Sequence, residues 1–152
     1  MICKYAMENI FRAPHNYLKR PVRAMPLDFP VMQRATAERF VPAMRALNVS
    51  EVARSPRGFF NQWGRMGGAV WTHTDPKFGQ PWRDRRDNFC RRHMEQYKRN
   101  PTLRRFLALV AWAYTPLSAA NTGRVLRALE ARDYRLAQSL LGSKSRSRSH
   151  SR

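Results

Sequence analysis

The longest regular pattern in this chain is PWRDRRDNFCRRHMEQYKRN, residues 81–100, and it decides the fold class. Its apolar side chains recur every three or four residues, which is the spacing of one face of an α-helix. The members of this face are Trp82, Phe89, Cys90, His93, Met94 and Tyr97. Arg and Lys occupy mainly the other faces, and Pro81 is typical of a helix start. The segment therefore predicts an amphipathic helix with one buried side and one strongly basic side.

Two helical patterns precede this segment. Residues 31–47 have an apolar period typical of a helix, and Pro42 within them should kink or split it. Ser55 and Pro56 form a start signal, a capping residue followed by proline at the first helical position. The helix that they predict carries Phe59, Phe60 and Trp63 and ends at the glycines 67–68. Residues 69–81 then predict a loop.

Three more helices are expected after it. Thr102 is a candidate cap for an apolar helix over 103–114. Asn121 or Thr122 would cap a short helix and Asp133 another, so that the last two helices form a hairpin. No segment shows the sustained alternation of a β-strand. The sequence therefore predicts an all-α protein with about five or six short helices.

The two ends of the chain differ in composition from its centre. Residues 1–30 contain four prolines among basic and apolar residues, which predicts an extended Pro-rich arm. Residues 143–152 alternate Ser with basic residues and are expected to be a disordered basic tail. The predicted organisation is therefore an arm over 1–30, a helical domain over 31–142 and an Arg/Ser tail over 143–152. The N-terminal segment also contains Arg and few acidic residues, so a non-cleaved mitochondrial targeting signal is an alternative function for it.

Charge indicates the kind of partner. The 152 residues contain 29 Lys and Arg against 10 Asp and Glu, a formal net charge of +19. Arm, helical domain and tail are each net positive, which favours a protein surrounded by phosphate on several sides. Most of the cations are Arg, which binds phosphate through two hydrogen bonds and stacks on bases. The alternatives are a charge that only aids solubility and one that binds anionic lipid.

The predicted RNA contacts are basic residues near the aromatic segments, along the central helix and in the tail. They are Arg54, Arg57, Arg65, Arg83, Arg85, Arg86, Arg91, Arg92, Lys98, Arg99, Arg104, Arg105, Lys144, Arg146, Arg148 and Arg152. The neighbouring aromatic rings could stack on unpaired bases, but most of them are expected to belong to the core. RNA would then be recognised mainly through its backbone.

The sequence does not predict a catalytic or metal-binding site. Cys90 and His93 have the spacing of two adjacent metal ligands on a helix, but no second close pair completes a zinc site. Both lie on the predicted core face, which favours a buried cysteine and a hydrogen-bonded histidine. Phosphate-binding, dinucleotide and nucleophile-elbow motifs are absent from the sequence. We therefore expect no enzyme activity, no metal and no cofactor.

Several short segments of the sequence are similar to segments of a known class of proteins. They are VARSPRGFF (52–60), RMGG (65–68), WRDRRDNF (82–89) and RHMEQ (92–96), and they lie within residues 52–97, about a third of the chain. They resemble the small lineage-specific proteins of kinetoplastid (trypanosome-type) mitochondrial ribosomes. The resemblance implies a non-catalytic, mostly helical protein of the mitochondrial matrix that binds rRNA and neighbouring ribosomal proteins.

A second hypothesis places the chain in another kind of assembly. It would be a non-catalytic accessory subunit of a mitochondrial membrane or respiratory complex, with its basic face on anionic lipid. The longest apolar run, residues 106–114, is too short to cross about 30 Å of hydrocarbon as a helix, so no transmembrane segment is expected. A free splicing-type factor would depend on the Arg/Ser tail alone.

Overall fold

The computed structural model describes residues 27–142, and these residues contain seven α-helices, one 3₁₀ helix and no β-strand. The α-helices are α1 (Arg34–Arg39), α2 (Val41–Ala46), α3 (Phe59–Met66), α4 (Trp82–Arg99), α5 (Leu103–Ala111), α6 (Ala119–Glu130) and α7 (Tyr134–Gly142). The 3₁₀ helix spans Gly67–Thr72. The prediction of an all-α fold is confirmed. Most of the predicted arm and the whole tail lie outside the described residues.

The first two helices are one helical pattern interrupted at Phe40, as Pro42 predicts. Proline has no backbone N–H, and here it lies in the first turn of α2, where a helix does not need one. Phe40 is fully buried at the joint and packs edge-on against Phe106 with ring centroids 5.6 Å apart. If α1 and α2 are counted as one interrupted helix, the described residues hold six.

Helix α3 begins at Phe59, several residues later than Ser55 and Pro56 predict. Gly58 is the N-cap, and its N–H donates to the carbonyl of Ser55 in a turn that precedes the helix. The Ser55 hydroxyl donates to the carbonyl of Val52 instead of capping the helix. The predicted end is confirmed, since α3 stops at Met66 before Gly67, whose φ of 57° is in the left-handed region that favours glycine.

Helix α4 is the predicted amphipathic helix, and α5 returns along it. Thr102 caps α5 as predicted, its hydroxyl accepting from the N–H of Arg105. However, α5 ends at Ala111, three residues earlier than its apolar run suggests. Ala113 has a φ of 63°, so the chain turns there while Trp112, Ala113 and Tyr114 stay buried. The turn leaves carbonyl groups free for contacts with α4.

The last two helices form the predicted hairpin. Asp133 starts α7, its side chain accepting from the N–H of Leu136. The start of α6 is three residues earlier than Asn121 predicts and four earlier than Thr122 predicts, because Ser118 is its N-cap and accepts from the N–H of Asn121. Val125 and Ala137, one from each helix, are completely buried and belong to the common core.

A stack of rings connects this core to the surface. Trp63, Phe59, Trp112, Phe89 and His93 follow one another with ring centroids 6.0, 4.9, 4.8 and 3.9 Å apart. Trp63, Phe59 and Trp112 are buried, whereas Phe89 and His93 are half-buried.

Along residues 27–142, no helix has the length and apolar character needed to cross a membrane.

Candidate nucleic-acid interface

Arg86 was predicted to bind RNA, and the structure places it in the core instead. Its side chain is fully buried, and its guanidinium donates to the carbonyls of Trp112 (3.0 Å), Ala113 (3.0 Å), Pro30 (2.5 Å) and Phe29, and to the Asp87 carboxylate at 3.0 Å. These contacts use all five N–H groups of the guanidinium. Arg86 therefore joins α4 to the turn after α5 and to the chain before α1, and no donor remains for phosphate.

Arg83 is also buried, and three other predicted contacts donate hydrogen bonds to backbone carbonyls. Arg83 is only 5 % exposed and has partners within the protein. Arg54 donates twice to the carbonyl of Val49, at 3.0 and 3.1 Å. Arg104 donates to the carbonyl of Leu47 and Arg105 to that of Asn100. In the last three cases arginine satisfies carbonyl groups at or just beyond helix ends, so part of the basic composition has a structural cause.

The outer face of α4 carries the basic residues that do reach solvent. Arg91, Arg92, Lys98 and Arg99 are exposed there, and we call these four residues the basic ridge. Arg91 pairs with Asp28 at 2.5 Å, whereas the other three have no ion-pair partner among residues 27–142. The ridge therefore presents four cations to solvent. Asp28 is paired with Arg91, and Glu95 is an acidic residue exposed on the same helix.

Further exposed cations lie on other elements. Arg57 and Arg65, both predicted contacts, are exposed at the two ends of α3. Sequence reasoning missed another set, which lies on α2 and on the terminal hairpin: Arg45, Arg124, Arg127, Arg132 and Arg135. For the four of them that lie in helices the signal was available, because each falls on the polar side of an apolar helical period. Arg132 lies in the turn between α6 and α7. The remaining predicted contacts, Lys144, Arg146, Arg148 and Arg152, lie outside the described residues.

Acidic groups do not offset this charge. Residues 27–142 hold 20 Arg and Lys but nine Asp and Glu. Five of those acids, Asp28, Glu38, Asp75, Asp87 and Glu130, are already in ion pairs within the protein. The surplus is therefore a property of the folded surface, and it is spread over α2, α3, α4 and the α6–α7 hairpin.

Most aromatic rings are core, as the sequence suggested. Phe59, Phe60, Trp63 and Trp82 are each at most 4 % exposed. The exception is Phe78, in the loop between the 3₁₀ helix and α4, which is 58 % exposed. Sequence reasoning assigned this loop no role, and its order depends on contacts that the sequence does not show.

Phe78 stands at the edge of an open groove of about 790 Å³. Its lining comes from most residues of the 50–59 segment, from residues 75–78, and from α4 and the turn after α5, which contribute Trp82, Phe89 and Trp112. A depression of about 400 Å³ shares Arg85, Phe89 and Trp112 with the groove and extends to Arg91 and Arg92. We call the larger space the aromatic groove. It leads directly to the basic ridge.

A buried carboxylate fixes the cation inside this groove. Asp75 is 1 % exposed and forms an ion pair with Arg85, while its other oxygen accepts from the N–H of Lys77 at 2.8 Å. The Arg85 guanidinium lies over the Phe78 ring at 4.5 Å from its centroid and within 5.6 Å of the Trp82 and Trp112 centroids. Partial burial lowers the pKa of Arg85. Asp75 thus positions Arg85, and Arg85 in turn supports the Phe78 ring at the surface.

Cys90 and His93 have the environments that their place on the core face predicts. Cys90 is fully buried, and loss of solvent raises the pKa of its thiol to about 12. His93 stacks on Phe89, and burial followed by the charge of Arg92 lowers its pKa although a hydrogen bond with Gln96 acts the other way. Among residues 27–142 there is no cluster of three or more His, Cys, Asp or Glu side chains that could hold a metal ion.

Comparison with known proteins found no match to a protein-family model, to a curated protein or to a solved structure. The resemblance to mitochondrial ribosomal proteins of kinetoplastids therefore stays a prediction from the sequence.

Proposed function

We propose that this protein is a structural constituent of a mitochondrial ribosome, where it binds the phosphate backbone of rRNA and neighbouring ribosomal proteins. The observation that carries the proposal is the distribution of uncompensated cations on the folded surface. Exposed Arg and Lys occur on α2, α3, α4 and both helices of the terminal hairpin, while most described acids are paired internally.

Charge on several faces favours a partner that surrounds the protein. A globular domain with this surplus repels itself unless anions neutralise it. RNA phosphate supplies such anions on every side inside a ribonucleoprotein, and each neutralised phosphate also releases counterions. A lipid surface would contact one face only and would leave the cations of the remaining faces unneutralised.

The mode of binding that fits is backbone recognition without catalysis. The exposed cations stand on rigid helices, where they would hold phosphates at fixed distances and so read the shape of the RNA. The compartment and the ribosomal neighbours come from the sequence resemblance, and they belong to this proposal on that basis.

Salt dependence of RNA binding tests the electrostatic part of the proposal. The full chain should bind short duplex RNA with an affinity that falls steeply as salt rises. Replacement of Arg92, Lys98 and Arg99 by Gln should lower the slope of log K against log salt by about 2 to 3, because each phosphate contact contributes about 0.7 to 0.9. These residues are exposed and without ion-pair partners in 27–142, so the fold should persist.

A substitution in the core serves as the control. Cys90→Ala changes a buried side chain and should leave the salt slope unaltered. The substitutions that the sequence alone suggests, at Arg83, Arg85 and Arg86, are unsuitable because two of these side chains are buried in the fold. An unchanged slope in the Arg92/Lys98/Arg99 variant would contradict the assignment of the basic ridge to RNA.

A further inference from the structure

Phe78 and Val52 are the two most exposed large apolar side chains of the described residues, at 58 % and 79 %. Both line the aromatic groove. Exposing an aromatic ring to water is unfavourable, and its position here is held by specific contacts. The groove is therefore a built feature of the surface.

The contacts that hold Phe78 begin in the core. Asp75 fixes Arg85 by an ion pair, and the loop closes through hydrogen bonds from the N–H of Asp75 to the carbonyl of Gln80 (2.7 Å) and from the N–H of Gly79 to that of Asp75 (2.8 Å). Arg85 in turn lies against the Phe78 ring. The Lys77 ammonium also lies over this ring, 5.3 Å from its centroid. The ring thus has two cations beside it, is 58 % exposed and lines the open groove.

The charge around the groove selects its occupant. Arg57, Lys77 and Arg85 line it, and the adjoining depression adds Arg91 and Arg92. The only acidic residue in the lining of the groove is Asp75, which is buried and paired. Cations around an aromatic platform are complementary to a nucleotide, whose base stacks on a ring while its phosphate binds Arg or Lys.

We propose that the aromatic groove receives an unpaired RNA nucleotide whose base stacks on Phe78 while its phosphates contact Arg57 and Lys77. The strand would continue past Phe89 and Trp112 toward Arg92 on the basic ridge. Arg85 is a positioning residue that supports the Phe78 ring. This inference rests on the proposed function, because it specifies which part of the RNA the same surface binds: a single-stranded loop or bulge next to a duplex.

Three substitutions of Phe78 in the full chain test the proposal. Each variant is titrated with two RNA probes, a uridine-rich single strand that carries one fluorescent purine analogue and a duplex of similar length. Phe78→Ala should weaken binding of the single strand about ten-fold, the typical loss for one base–aromatic stack, and should leave duplex binding unchanged. Phe78→Trp should retain or strengthen single-strand binding, and wild type should quench the analogue.

Phe78→Leu distinguishes a base from an apolar protein segment. Leucine keeps an apolar side chain of useful size but has no ring face, so single-strand binding should fall as it does for Phe78→Ala. Leu136→Ala is the matched control, since Leu136 is 47 % exposed on α7 and does not line the groove. It should bind both probes like wild type.

The outcomes separate this inference from the proposed function. If wild type binds both probes and Phe78→Ala binds the single strand equally well, the inference is wrong while backbone binding stands. If Phe78→Leu supports assembly into the native particle and Phe78→Ala does not, with RNA affinity unchanged in both, the groove belongs to a protein neighbour and the inference is again wrong. If wild type binds neither probe, the inference falls together with the proposed function.

Discussion

Arg86 lies on the buried face of α4, one turn after Trp82 and one turn before Cys90. That spacing could have identified it as an inward-facing residue, because positions four apart share a helix face. Its charge suggested the opposite assignment. What the sequence does not show is the early end of α5, which supplies the carbonyls of Trp112 and Ala113 that make burial of a guanidinium possible.

Loss of the Arg86 side chain should therefore act on stability. Arg86→Met would remove the donor to the carbonyls of Trp112, Phe29 and Pro30, whereas the carbonyl of Ala113 also accepts from the N–H of Met32. We expect a cost of about 3 kcal/mol or more in the free energy of unfolding. Urea denaturation followed by tryptophan fluorescence measures it. Arg92→Met, an exposed cation on the same helix, should stay within about 0.5 kcal/mol of wild type. Equal stability of the two variants would show that Arg86 is not a structural residue.

Cys90 gives a prediction for alkaline pH. Burial raises the pKa of its thiol to about 12 from an ordinary value of 9.0, so the unfolded chain loses this proton first as pH rises. The contribution of the protonated thiol is complete below pH 9.0 and is lost progressively toward pH 12. Burial also raises the pKa of Tyr97 to about 12, so stability falls with rising pH for this residue as well. Stability measured over this range should fall less steeply for Cys90→Ala than for wild type, and parallel curves would contradict the assignment.

At the scale of elements, close backbone contact decides where α3 begins. A Cβ atom on Gly58 would lie 2.3 Å from the carbonyl oxygens of both Val52 and Ala53. Gly58→Ala should therefore force the 52–58 turn away from α3 and destabilise the protein by about 1 to 3 kcal/mol. Gly68→Ala is the matched control, because a Cβ there meets no atom within 4 Å and its φ is not positive. Thermal unfolding of the two variants measures the difference, and a Gly58→Ala protein as stable as the control would show that the turn yields freely.

The same contacts explain which elements could be predicted. The amphipathic period of α4, the interruption at Pro42 and the caps Thr102 and Asp133 are local signals, and the structure confirms each of them. The starts of α3 and α6 and the end of α5 depend on residues distant in sequence or on competing caps. Helix boundaries were therefore less predictable than helix positions.

The candidate interface also has one part that the sequence predicts and one part that it does not. Exposure of Arg92, Lys98 and Arg99 follows from their place on the polar face of α4, and that much was predictable. The aromatic groove was not, because Phe78 acquires its position only when Asp75 and Arg85 are brought together across the 75–85 segment. A loop without periodicity gives no such signal.

At the scale of the whole molecule, the charge has two distinct roles. Arg54, Arg86, Arg104 and Arg105 bind backbone carbonyls, and Arg86 also pairs with Asp87, so the fold itself uses part of the positive charge. The remaining exposed cations lie on several faces of one helical body. A surface of this kind is consistent with enclosure by RNA, and it explains why the acidic residues are few and mostly paired.

The most direct test of this account is sedimentation of the tagged full-length protein from native cells, with and without ribonuclease. A ribosomal constituent should migrate with mitochondrial rRNA in a large particle, and ribonuclease should move it to lighter fractions. A protein that sediments slowly, or that stays in a detergent-solubilised membrane complex unchanged by ribonuclease, would contradict it.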